Sequence, residues 1–548
     1  MSFSNHQNQL LLVKVTLILF GFVVTIRAYT QQGEWTPPHL LKEGNHSQLI
    51  VNGKPFLVAG GELGNSSASS SEYMTSVWIK LKQMNLNTVI APVYWELMEP
   101  SEGNFDFSLI DDLVINARKN NLKLILLWFG TWKNSMSCYA PGWVKTNQMR
   151  FPRTENSEGK TAEIISPFSK EALTADKKAF VKLMQHIRQT DAKEQTVIMM
   201  QVENEIGMLP EARDHSAYAN IEFHKPAPSK LLNYLTANKT SLLPELKKIW
   251  EDNGFKTSGT WEEIFGKSLA TDELFMAWNF GLYVEEIAKA GKDVYNIPMF
   301  VNAALNRSGK KPGDYPSAGP LPHVMDVWKA AAPSIDFLSP DFYNPDFKHW
   351  CDLYTRSSNP LFIPEHRFEA GIEAKAFYAI GHYRAIGFSP FSIESSKKPE
   401  EESIGKAYQI IRQLSSEISK AKDESVDAIL LSKEEDSVVL NLGNYILTVT
   451  HPYNLPWAPK TDDWPLTGGI IIALPDNEFY VGGTGIVITF QSKTGLQTGI
   501  LRVDEDGFIN NKWKPGRRMN GDEDHQGRHL RIDVNDYSIQ KIKLYQYK

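Results

Sequence analysis

Residues 196–207 read TVIMMQVENEIG. The first half, Val197-Ile198-Met199-Met200, is an apolar run with no polar alternation. Such a run suits a strand buried on both faces, as in a parallel sheet. The second half breaks at once into Gln201, Glu203, Asn204 and Glu205. Polar groups set against a core are costly unless they are paired or used. The C-terminal end of a barrel strand is the natural place for this sequence, because active sites of that architecture sit there. Capping of the following helix is the competing explanation for an Asn-Glu pair at a strand end.

Working outward, strand and helix patterns alternate, the mark of βαβ units. Residues 56–62 (FLVAGGE), 88–93, 124–127, 299–303, 337–343 (FLSPDFY), 361–365 (LFIPE) and 388–394 (FSPFSIE) read as further strands. Between them, Trp78, Leu81 and Met84 recur at helical spacing, as do Ile110, Leu113, Val114 and Ala117, and then Phe180, Leu183, Met184 and Ile187. An insertion near 209–265 precedes a helix near 275–288. Roughly 340 residues in this pattern fit a (β/α)8 TIM barrel with loop insertions. The alternative, an open doubly wound sheet, lacks a glycine-rich phosphate loop here.

The barrel is expected within 29–400, entered by a hairpin at 49–57 that turns at Asn52-Gly53. A connecting helix follows at 401–426, with Ile404, Tyr408, Ile411, Leu414 and Ile418 on one face. From Asp427 the period falls to about two, with Gly-rich turns, so 427–548 is expected to be a smaller all-β, sandwich-like domain. Residues 10–26, LLLVKVTLILFGFVVTI, with Ala28 beyond, read as a signal peptide over 1–28. That implies a secreted or periplasmic protein without stable membrane insertion after cleavage; an uncleaved N-terminal anchor is the alternative. Asn45, Asn65, Asn238 and Asn306 lie in Asn-x-Ser/Thr sequons, which matter only in a eukaryotic secretory route.

A net charge of -6 over 548 residues argues against a nucleic-acid surface. The two cysteines, Cys138 and Cys351, make no disulfide framework, and Cys and His do not cluster at zinc-binding spacing. No metal or organic cofactor is expected. The 14 Trp and 20 Tyr suit either sugar platforms or the packing of a large barrel.

The strand ends gather Glu62, Tyr94, Glu96, Trp132, Asn134, Asn204, Glu205, Asn302, Tyr343 and Glu365. There is no G-x-S-x-G elbow, H-E-x-x-H or dinucleotide fingerprint. Carboxylates, amides and aromatics on a barrel rim point to carbohydrate chemistry. Cleaving a glycosidic bond needs a proton for the leaving oxygen and a carboxylate facing the anomeric carbon. Glu205 and Glu365, on the fourth and seventh strand candidates, can flank such a bond. Glu203 competes with Glu205, since strand alternation puts both on one side. Trp132 is open between sugar platform and packing.

Three motifs carry a family resemblance: QVENEIG at 201–207, WELMEP at 95–100 and APGW at 140–143. Together they resemble glycoside hydrolase family 35, chiefly β-galactosidases of clan A, and the likeness spans about 49–396. The C-terminal part is similar to the β-domain of a bacterial branch whose members act on galactosylated plant polysaccharides, xyloglucan among them. The resemblance implies a retaining exo-β-galactosidase acting on galactose-containing oligo- or polysaccharides. It implies Glu205 as acid/base, Glu365 as nucleophile, Tyr343 as a donor that orients Glu365 beside the substrate, and Asn204, Asn134 and Tyr94 as substrate-binding residues; Trp132 and Glu96 join the substrate-binding candidates from their places at strand ends. Asn134 stands where many members carry Glu, and the Pro92-Val93-Tyr94-Trp95 order departs from theirs. The rival expectations are another retaining exo-glycosidase, such as a β-glucosidase or α-L-arabinopyranosidase, and a carbohydrate-binding protein without catalysis.

Overall fold

The computed structural model describes residues 35–509 and 512–548; the apolar stretch at 10–26 lies outside them. Among the described residues no helix is long and apolar enough to cross a membrane. Eight strands form the barrel: β1 (Val58–Glu62), β2 (Thr88–Tyr94), β3 (Lys123–Lys133), β4 (Val197–Asn204), β5 (Met299–Ala304), β6 (Phe337–Phe342), β7 (Ile363–His366) and β8 (Gly387–Pro390). They close in the order β5-β6-β7-β8-β1-β2-β3-β4, every pair parallel. The fold is the (β/α)8 TIM barrel expected from the alternating pattern. Val197, Ile198, Met199 and Met200 are all fully buried, which is why this strand carries no polar alternation.

A helix follows each strand: α1 (Ser71–Gln83), α2 (Ser108–Lys119), α3 (Lys170–Asp191), α4 (Leu269–Val294), α5 (Met325–Ala331), α6 (Phe347–Tyr354), α7 (Ile372–Gly381) and α8 (Ser403–Lys420). Their starts are partly written in the sequence. Ser70, Ser169 and Ser268 cap α1, α3 and α4 by accepting the N–H three residues on. The apolar faces read from spacing are buried, among them Ile110, Leu113, Val114 and Ala117 of α2. The insertion before α4 is itself helical, at Ala217–Phe223, Ser229–Ala237, Pro244–Asp252 and Trp261–Phe265. The hairpin turns at Asn52-Gly53, both at positive φ, and a further strand, His39–Glu43, pairs with its first arm.

The C-terminal region is all-β: β9 (Val426–Leu431), β10 (Ser437–Leu442), β11 (Tyr445–Thr450), β12 (Thr467–Leu474), β13 (Glu478–Thr484), β14 (Ile486–Ser492), β15 (Gln497–Ile509), β16 (Lys512–Met519), β17 (Leu530–Ile532) and β18 (Ser538–Tyr547). They make two antiparallel sheets, β9-β12-β13-β18-β15-β16 and β10-β11-β14-β17. The larger sheet contributes to two cores. Ile471, Val481 and Ile542 join a core with the smaller sheet, whereas Ala428, Ile470, Ile472 and Ile539 belong to the barrel's own core. α7 and α8 supply the other side of that contact. Gly381 lies against Ala428, and Gly482 against Ile410 and Leu414 of α8. α8 also reaches the barrel seam, where the Tyr408 hydroxyl donates to the carbonyls of Gly60 and Phe388.

Candidate active site

The end of β4 is not ideal strand. Glu203 has φ +61° and Glu205 φ +43°, in the left-handed region that residues with a Cβ avoid. Strand alternation would put the two side chains together; these reversals send them apart. The Glu203 carboxylate accepts from the N–H groups of Thr131 (3.2 Å) and Trp132 (2.7 Å) in β3. Beside it, Asp176 of α3 accepts from Trp128 Nε1 (2.9 Å) and Thr131 Oγ1 (2.6 Å). Burial, and then the Asp176 charge, hold the Glu203 carboxyl well above the usual range. Glu203 thus ties β4 to β3 and α3. Gly130 makes room for it: a Cβ there would fall 2.6 Å from Glu203 Oε1 and 2.2 Å from Trp128 Nε1.

The reversed segment is clamped from β3. Asn134 (φ +49°) and Ser135 (φ +68°) donate their N–H groups to the carbonyls of Asn204 (3.2 Å) and Glu205 (3.0 Å). Here the β3–β4 ladder shifts register between Trp128 and Lys133, a bulge that re-aims the side chains beyond it.

Glu205, so aimed, joins Asp341 from β6 and Glu365 from β7. Each of the three has a carboxylate oxygen within 4.8 Å of the others. Asn302 of β5 organises them: its Oδ1 accepts the Glu205 N–H (3.0 Å) and its Nδ2 donates to Asp341 Oδ2 (2.6 Å). Asn134 Nδ2 donates to Glu205 Oε2, and the Tyr343 hydroxyl donates to Glu365 Oε1. Among the described residues, Glu365 Oε2, Asp341 Oδ1 and both amide atoms of Asn204 are buried without a hydrogen-bond partner. Tyr343 is 39 % exposed and marks the side on which the cluster meets solvent.

Two more buried charges complete the electrostatics. Glu62, at the end of β1, has both oxygens unpartnered. Burial first, then Glu365, hold it well above the usual carboxyl range. Asp341 is raised in the same way, by burial and then by Glu365 and Glu205. Glu365 is pushed up to about 7 by burial and the Glu205 charge, against the pull of Lys133 and the Tyr343 hydrogen bond. Lys133, the last residue of β3, is 4 % exposed and is the cation that offsets this acid cluster. Glu62, Asp341 and Glu365 cannot all ionise in so dry a space, so they retain protons near neutrality.

Asn204, Glu205, Asn134, Tyr343 and Glu365 are therefore brought together, whereas three other residues expected at the substrate are not. Trp132 is 1 % exposed; its indole N–H donates to the Ile165 carbonyl (3.0 Å) and its ring packs on Phe280 and Tyr283. Tyr94 is buried, with its hydroxyl donated to the Asn65 carbonyl (2.7 Å). Glu96 turns to Lys145 (3.5 Å) from the short helix Trp95–Met98. For Trp132 and Tyr94, packing has taken the group that a sugar would use; Glu96 keeps part of its side chain exposed beside Lys145. Sequence reasoning gave no role to Asp341 or Lys133. The signal for Asp341 was its place two residues before Tyr343 on one strand end, a period-two partner facing the same side.

The family model of glycosyl hydrolases family 35 matches residues 48–272, which hold β1 to β4 and Glu205 but stop short of Glu365. A domain of unknown function (DUF5597) matches residues 404–531. Beta-galactosidase 13 of Arabidopsis thaliana is 25 % identical over 218 residues, 39 % of this chain and 24 % of that protein. Beta-galactosidase 11 of the same plant is 30 % identical over 118 residues, 21 % of this chain and 14 % of that protein. The chain thus spans a quarter or less of these relatives' length. The β-galactosidase structure from Bacillus circulans sp. alkalophilus gives a TM-score of 0.47 at 15 % identity, over 67 % of this chain and 58 % of that one. The β-galactosidase structure from Marinomonas ef1 gives 0.44 at 12 %, over 67 % and 62 %. The first four barrel strands and Glu205 thus lie inside a segment similar to glycosyl hydrolases family 35.

Proposed function

We propose that the chain is a retaining exo-β-galactosidase that removes terminal β-galactosyl residues from oligo- or polysaccharides, xyloglucan side chains among the candidates. One observation carries the mechanism: Glu205 and Glu365 bring carboxylate oxygens within 4.8 Å of each other. That suits the ~5–5.5 Å separation of retaining enzymes and not the roughly 6.5–9.5 Å that inversion needs for an intervening water. The galactose specificity is supported by the two plant relatives, both of them named β-galactosidases. A secretory route is supported by residues 10–26.

In this reading Glu365 attacks the anomeric carbon through Oε2, the oxygen left unpartnered while Oε1 accepts from Tyr343. Glu205 gives its proton to the leaving oxygen, then takes one from the water that releases the sugar. Asn204, its amide unpaired, meets a sugar hydroxyl, where hydrogen bonds strengthen toward the transition state.

The test separates the two acids. Glu205→Ala is expected to keep the first step on substrates with good leaving groups and to slow the second, and azide should rescue it as β-galactosyl azide. Glu365→Ala should lose turnover on every substrate, with any azide product α-configured. Product NMR, and mass spectrometry of an inhibitor-trapped peptide, check this; a label on Glu203 or Glu205 overturns the assignment. A faster rate on aryl β-glucoside than on β-galactoside would replace the sugar but keep the mechanism. The chemistry needs no metal, so EDTA should leave the rate unchanged. Loss restored by one divalent ion would mean that Glu205, Asp341 and Glu365 hold a cation.

A further inference from the structure

Asp341 is the member of the carboxylate trio that the proposed reaction leaves without a task. It lies near the end of β6, directly opposite Glu365 in the β6–β7 ladder, so the two side chains share a face. Its Oδ2 accepts from Asn302 Nδ2 (2.6 Å), while its Oδ1 is buried without a partner among the described residues. Glu365 shows the same pattern: Oε1 accepts from Tyr343, and Oε2 is buried and unpartnered. Two orphan acceptors on facing carboxyls are costly if both residues are anions. One proton on Asp341 Oδ1 removes both costs, because a protonated carboxyl is a donor. Glu205 lies within the same reach, since the three residues bring carboxylate oxygens within 4.8 Å of one another. The surrounding charges agree with this. Burial first, then Glu365, Glu205 and Glu62, oppose ionisation of Asp341. The other titratable groups around it are Lys133 from β3, Tyr343 just beyond β6, and Tyr354 of α6, whose hydroxyl is spent on the Pro320 carbonyl (3.0 Å).

We propose that Asp341 stays a neutral acid throughout turnover and donates its hydrogen bond to whichever carboxylate is charged, Glu365 before attack and Glu205 after it. The inference rests on the retaining mechanism above and deepens it. In that mechanism the site carries one negative charge that changes place. In the first step the Glu365 charge goes into the bond to the anomeric carbon, the Glu205 proton goes to the leaving oxygen, and Glu205 is left charged. In the second, Glu205 takes a proton from water, the water oxygen bonds to carbon, and Glu365 departs with the charge. A donor anchored to Asn302 through its other oxygen, and within reach of both acids, follows that charge by turning one O–H. Glu365 Oε2 has two lone pairs, so it can take this bond and still attack. A carboxylic acid kept neutral in an apolar site so that it can donate has precedent among enzymes. Asp341 is thus a positioning residue, acting through the two reacting carboxyls.

The sign of a pH shift separates a neutral donor from a third anion. Full-length Asp341→Ala is assayed on an aryl β-galactoside with a good leaving group, so that the acid limb of kcat/KM reports Glu365. Loss of a donor to the ionised form should move that limb upward by about one pH unit, whereas loss of a negative neighbour would move it downward. The same variant should slow hydrolysis of the glycosyl-enzyme by about tenfold, read from pre-steady-state bursts. Asp341→Asn keeps an acceptor for Asn302 and N–H groups for the carboxylates, so it should bring the limb and the hydrolysis rate most of the way back. A further measurement stands even if the alanine variant fails to fold. The wild-type infrared spectrum, with that of Asp341→Asn subtracted, should keep the carbonyl band of a protonated carboxyl above the pH at which Glu365 ionises. A downward limb in either variant, no recovery with Asn, or no such band overturns the inference, while turnover of the aryl β-galactoside by the wild type upholds the galactosidase reading. A wild type idle on every β-galactoside overturns that reading, and this inference with it.

Discussion

At the scale of single residues, the cluster is governed by how Glu365 is neutralised. In the proposed mechanism its carboxyl, held near 7, must ionise before it can attack, so activity should fall as pH drops through that value. Two neighbours push in opposite directions. The Tyr343 hydroxyl stabilises the carboxylate, so Tyr343→Phe should move the acid limb of kcat/KM upward by about one pH unit. The Glu205 charge opposes ionisation, so Glu205→Gln, assayed on a substrate with a good leaving group, should move the limb downward. pH–rate profiles of the two variants check both signs; shifts in the same direction would mean that another group sets the limb. Glu205 and Glu365 were legible because each ends an apolar strand. Lys133 was not, since a lysine at a strand end is usually solvated, and only the closed barrel shows that this one is buried among acids.

At the scale of elements, the geometry of the acid cluster depends on where β4 stops being a strand. The alternation rule failed at Glu203 and Glu205 for a backbone reason. Non-glycine residues at positive φ leave no mark in hydrophobic pattern, and they persist only where neighbours over-determine them. β3 does this here, through its bulge, its N–H groups on Glu203 and the clamp from Asn134 and Ser135. Gly130→Ala tests the dependence. Its methyl group has no room beside Glu203 and Trp128, so the variant should lose about 1–3 kcal/mol of stability. It should also lose at least tenfold in kcat/KM, although it is not one of the reacting groups. Thermal unfolding and kinetics measure the two; normal activity in a destabilised variant would show that β3 packing and Glu205 aim are independent. Trp132 illustrates the converse: an aromatic on a barrel rim looks the same in sequence whether it faces sugar or, as here, Phe280 and Tyr283.

At the scale of the whole molecule, the period changes near Asp427 and the fold changes with it, from barrel to sandwich. The sequence did not reveal that Ile470 and Ile472 face one core and Ile471 another, because an apolar run bounded by glycines fits a doubly buried strand in any neighbourhood. Removing residues 426–548 would uncover the apolar sides of α7 and α8. The truncated chain should aggregate or unfold well below the full-length protein, and the intact protein should melt in one transition by calorimetry. Two separated transitions, with a soluble active barrel, would contradict a shared core.

The sheet that lies across α7 and α8 also decides what can be transplanted. Its outer residues are cut to the shape of those two helices: Gly381 takes Ala428, and Gly482 takes Leu414. A recombination joint placed at the change of periodicity would split one jigsaw fit into two unmatched halves. A transplanted sandwich would therefore fit only a barrel whose last two helices match its outer residues.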